Sequence, residues 1–184
     1  MQPSGLIWVQ RYPGSVSLDD LVPDFARSVR AFLAALREAG ARVRIAATFR
    51  PPERAWLMHW CWLIANDQVA PSKVPAMSGV DIDWQHLATK APDMVAAHRA
   101  ASQMATAYGI RYAPALVSRH TQRRAIDMSV GWDNALAIRD ASGATRQIAS
   151  GPRTGQNKSL IAVARTVGVR KLFSDPPHWS DDGH

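Results

Sequence analysis

The sequence predicts an α+β fold in which helices flank a small, mostly antiparallel sheet. Apolar residues recur at helical spacing in the first half of the chain, whereas short alternating segments bounded by turn residues dominate the second. With 184 residues, 47% hydrophobic and 20% charged, the composition is that of a globular chain, and the length suits a single domain over residues 1–184.

The first helix is predicted from Leu18 to Ala39. Ser17 stands as its cap, Asp19 and Asp20 suit a helix N-terminus, Pro23 lies near the start and Gly40 just past the end. Phe25, Val29, Phe32, Leu33 and Leu36 fall on one face, which predicts packing on the core. Arg42 to Phe49 alternates and reads as a strand ending at the turn Arg50-Pro51-Pro52, after which a helix runs to about Ala65. Asp67 to Trp84, with Pro71, Pro75 and Gly79, reads as a long surface loop. A further helix is predicted over Asp93 to Tyr108, closed by Gly109, and then a short strand over Ile110 to Leu116. Strands follow at Val117 to His120, Ala125 to Val130, Ala135 to Arg139 and Thr145 to Ile148, the last two joined by Asp140-Ala141-Ser142-Gly143. Asn157 to Thr166 reads as a helix, and Lys171 to Trp179 as an extended segment broken by prolines. There is no internal repeat.

Cys61 has no partner for an internal disulfide and lies in the apolar run Trp60-Cys61-Trp62-Leu63-Ile64, which predicts a buried core thiol. No stretch has the roughly 18 to 20 apolar residues of a membrane span. The first residues lack the pattern of a secretion signal, so synthesis in the cytoplasm is expected, with action at a cell wall after lysis or dedicated export. The net charge of +7 and pI near 10.3 favour an anionic partner. Because the basic residues are scattered and not interleaved with aromatics, a dedicated nucleic-acid surface is not expected.

The chemistry concentrates in two segments. In Ser118-Arg119-His120-Thr121-Gln122-Arg123-Arg124-Ala125-Ile126-Asp127 a histidine stands seven residues before an aspartate, in two extended pieces that a turn can bring together. Asp175-Pro176-Pro177-His178-Trp179 offers a third ligand with a carboxylate three residues ahead of it. Its paired prolines exclude a helix interior and with it the helical H-E-x-x-H zinc site. Two imidazoles and one carboxylate, His120, His178 and Asp127, are a donor set for catalytic zinc that keeps one position open. Asp175 is then the candidate general base, and Arg50, at the strand-to-helix turn, the candidate cation for the developing oxyanion. Trp179 and Trp132 are close enough to the ligands in sequence to line a cleft.

The pattern S-x-H-x-x-G-x-A-x-D followed by carboxylate-x-x-His is similar to the signature of the D-alanyl-D-alanine metallopeptidases, a family of carboxypeptidases, dipeptidases and phage endolysins. The resemblance implies zinc on His120, Asp127 and His178, Asp175 as base, Arg50 assisting the substrate carbonyl, and Ser118 at the motif's serine; Ser118 and, from its place beside His178, Trp179 are the residues expected to contact substrate. It spans roughly Thr48 to Trp179. Two positions depart from it. Arg123 stands where the motif has glycine, which predicts a reshaped turn, and Asp175 replaces the usual, longer glutamate. The function expected is hydrolysis of a peptidoglycan bond next to a D-amino acid by a monomer acting on the stem peptide. The alternative is a non-catalytic zinc-containing binding module of the same fold.

Overall fold

A computed structural model describes residues 1–87 and 91–184 of the protein. In chain order its elements are β1 (Gln2–Pro3), α1 (Pro23–Glu38), β2 (Arg42–Ala47), α2 (Pro52–Ala65), β3 (Ile82–Asp83) and α3 (Met94–Tyr108), followed by β4 (Ala125–Gly131), β5 (Leu136–Arg139), β6 (Thr145–Ile148), α4 (Lys158–Thr166), β7 (Arg170–Lys171) and β8 (His178–Ser180). Among the described residues, four α-helices with mostly antiparallel strand pairing make the fold α+β. No helix among the described residues is long and apolar enough to cross a membrane.

The chain forms two compact units, Met1–Gly14 with Arg50–Ser118, and Ser15–Phe49 with Arg119–His184. In the first, Trp8, Trp56, Leu57, Cys61, Trp84 and Met104 build an apolar core around α2 and α3. Cys61 is fully buried as expected, and burial pushes its thiol pKa up to about 12, leaving it chemically inert. Within the segment read as a loop, Ile82–Asp83 pairs in parallel with Gln2–Pro3. Ile110 to Leu116 forms no strand. Pro114 has no amide hydrogen to give a ladder, and Tyr112 and Leu116 lie exposed.

The second unit carries a four-stranded antiparallel sheet in the order β2-β4-β8-β7 and a hairpin of β5 and β6. Period-two alternation gives β4 two different faces. Ile126, Met128 and Val130 enter a core with Phe25, Val29, Phe32, Leu33 and Leu36 of α1, and Asp127 and Ser129 point the other way. Truncating Phe32, which is wholly buried, would cost about 3–5 kcal/mol. The first helix is shorter than its periodicity suggested. Leu18–Asp20 forms a separate 3-10 turn capped by Ser17, and α1 starts at Pro23 because a residue before proline is driven out of the helical region, as Val22 is at ψ 143°. Asn157 caps α4 through its side-chain oxygen, which accepts from the Ser159 and Leu160 amides.

Candidate metal centre

The sheet delivers two of the three expected donors by register alone. Asp127 on β4 lies directly opposite His178 on β8, and Ile126 opposite Trp179, so one cross-strand pair faces outward and the next faces the core. His120 arrives differently. Val117 to His120 is not a strand. His120 sits in the turn before β4, where the Arg123 amide donates to the His120 carbonyl at 3.2 Å and the Arg124 amide to the Arg119 carbonyl at 2.8 Å, and those bonds close a turn rather than a ladder.

The donor atoms form a nearly equilateral triangle. His120 Nε2 lies 3.1 Å from Asp127 Oδ1 and 3.2 Å from His178 Nδ1, and His178 Nδ1 lies 3.1 Å from Asp127 Oδ1. Both histidines are buried, and the aspartate is partly so. The outward nitrogen of each imidazole faces an oxygen that can only accept. His120 Nδ1 donates to the Thr48 carbonyl at 2.8 Å, and His178 Nε2 donates to the backbone oxygen of His184 at 3.1 Å. A neutral ring has one proton, so both turn a lone pair toward the aspartate oxygen, and three electron-rich atoms converge. Such a donor set is compatible with a metal ion. Tetrahedral zinc with bonds of about 2.0–2.1 Å sets its donors about 3.3–3.4 Å apart, within a few tenths of an ångström of the observed triangle. No other His, Cys, Asp or Glu group among the described residues converges in this way. Burial works against ionising Asp127; with both rings doubly protonated, the state without a cation, N–H bonds from His120 and His178 and their positive charge outweigh it and hold the carboxyl well below the usual range.

The surrounding shell fixes this geometry. Arg119, next to His120, pairs with Asp182 and lies 3.5 Å from Asp181, and Arg124 bonds Asp181 at 2.8 Å. These pairs draw Asp181 and Asp182 back to the turn, which helps place the His184 carbonyl over His178. Arg123 corrects the expectation of a reshaped turn. It adopts φ 61°, the left-handed conformation a glycine would take there, with its guanidinium 4.5 Å from the centre of the Phe49 ring.

Asp175 is exposed and outside the donor triangle. Its backbone oxygen accepts from the His178 amide at 3.1 Å and from Lys171 Nζ at 2.7 Å. Trp179 does not line a cleft. It is fully buried, its ring packed on Phe32 at 5.6 Å, because a strand neighbour of His178 must point to the opposite face; Trp132 is likewise a core residue. Arg50 and Ser118 open and close the Arg50–Ser118 segment of the other unit, so neither belongs to the unit that holds the triangle. A groove of about 490 Å³ adjoins β4 and the proline pair, lined by Met128, Ser129, Val130, Thr154, Gln156 and Pro177 among others. A larger cavity, about 610 Å³, belongs to the first unit and contains none of the donors. The carbonyls of Thr48 and His184 had no signal in the sequence, since every residue carries one.

No protein-family model matches the chain, and no curated protein matches it. A functional reading therefore rests on the triangle and on the spacing of the motif around it.

Proposed function

We propose that the protein is a zinc-dependent peptidoglycan peptidase that hydrolyses a peptide bond next to a D-amino acid. The reading is carried by the triangle of His120 Nε2, His178 Nδ1 and Asp127 Oδ1, with both imidazoles held by carbonyls in the tautomer that turns a lone pair inward. Bound there, zinc supplies Lewis acidity and a water of lowered pKa, with one position left for substrate.

The chain's own groups do the rest. The two histidines are held by backbone carbonyls, so binding costs them little reorganisation. Asp175, exposed and separate from the donors, accepts a proton from the attacking water and returns it to the leaving amine. Arg50 holds the carbonyl oxygen as negative charge develops, a role supported by its place in the motif. The groove beside β4 receives the stem peptide, and the charge of +7 favours an anionic wall polymer.

The test is a digest of purified muropeptides read by mass spectrometry, with zinc-loaded and chelator-treated protein in parallel. Zinc-dependent release of fragments ending at or starting from a D-residue is expected. Intact muropeptides under zinc saturation would reject the hydrolase reading in favour of a binding module.

A further inference from the structure

Lys171 is buried, with 3% of its surface exposed, and lysine rarely is. It ends β7, pairs with Trp179 across the sheet, and starts the segment 172–177 that returns to β8. Its ammonium fills that segment from inside. Nζ donates to the carbonyls of Leu172 at 2.8 Å, Asp175 at 2.7 Å and His178 at 2.9 Å, using its three protons, and lies 5.3 Å from the centre of the Trp179 ring. Two of those carbonyls belong to the residues assigned above as base and as metal donor. The segment's backbone ties are the Leu172 amide to the His178 carbonyl at 3.2 Å, the His178 amide to the Asp175 carbonyl at 3.1 Å and the Met128 amide to the Pro177 carbonyl at 2.9 Å, and none of them reaches the Leu172 carbonyl. Pro176 and Pro177 have no amide hydrogen to add. The ammonium is the one group that joins the Leu172, Asp175 and His178 carbonyls at a single point.

We propose that Lys171 is a positioning residue, whose ammonium gathers the Leu172, Asp175 and His178 carbonyls and so sets where His178 Nδ1 and the Asp175 carboxylate stand relative to Asp127. This rests on the zinc reading of the triangle. An aliphatic side chain of similar length leaves the buried Leu172 carbonyl without a donor and the Asp175 and His178 carbonyls with one backbone donor each, so the loop loses the group that ties its three carbonyls together. Arginine keeps the charge, but its planar fork cannot address three carbonyls arranged around a point.

The test compares zinc affinity, measured by competition with a chelating dye, and the visible spectrum of the Co²⁺ form. Wild type, Lys171→Met, Lys171→Arg and Leu136→Ala are compared, the last a core truncation in β5 that lowers stability without touching the loop. Lys171→Met is expected to bind zinc at least about tenfold more weakly and to shift the Co²⁺ bands, as loss of an orienting partner does. Lys171→Arg should show a smaller loss in the same direction, which keeps the question answerable if the methionine variant does not fold. Leu136→Ala should lower Tm while matching wild type in affinity and spectrum. Wild-type affinity in both Lys171 variants, or an equal loss in Leu136→Ala, overturns the inference alone. A wild-type chain that takes up no zinc overturns the functional reading and this inference with it.

Discussion

Arg123 allows the local physics of the ligand-bearing turn to be tested quantitatively. A non-glycine residue in the left-handed region costs about 1–2 kcal/mol relative to glycine, and Arg123 sits there at φ 61°. Its stacking on Phe49 at 4.5 Å returns about 0.5–1 kcal/mol at an exposed site. Arg123→Gly removes both effects, so stability should change by less than about 1 kcal/mol. Arg123→Ala removes the stack and keeps the strain, and should be less stable than Arg123→Gly by about 1 kcal/mol, which at this chain length is about 2–4 °C in Tm. Both variants should retain zinc, because the His120 carbonyl still closes the turn. Thermal unfolding of the three proteins side by side is the assay. An alanine variant as stable as the glycine variant would refute the strain argument.

Asp175→Asn should leave zinc and Tm unchanged while lowering turnover at least about 100-fold, the usual scale for a general base, measured on a muropeptide substrate. Asp140, in the β5–β6 turn, accepts from the Ser142 hydroxyl at 2.5 Å and from Arg146 Nε at 2.8 Å, and its pKa is lowered from 3.8 to about 2. A depressed folded pKa gives stability that is present above the unfolded value and lost as pH falls through the folded one, so the contribution should fade between about pH 4 and 2. The Tm difference between wild type and Asp140→Asn should accordingly shrink over that window.

The four helices and the β5–β6 hairpin were legible because each depends on local pattern: a cap, a turn residue or an alternation. Position within the site was less so. His120 was read on a strand although its carbonyl and that of Arg119 are used to close a turn, and Trp179 was read as cleft wall although it is the strand neighbour of His178 and must face the core. The break before α1 was foreshadowed by Pro23, which suits a first helical turn better than a sixth residue. Lys171 looked like one more surface cation, since only the path of residues 172–178 brings three carbonyls around its ammonium. Long-range partners of this kind depend on the folded backbone and leave no trace in residue order.

The central claim is that His120, Asp127 and His178 hold a metal ion together, and metal analysis of the purified protein tests it most directly. Wild type should carry about one zinc per chain, and each of His120→Ala, Asp127→Ala and His178→Ala should lose it with the far-ultraviolet circular dichroism retained, because a three-donor site fails when any donor is removed. Full zinc occupancy in any two of these variants would contradict it.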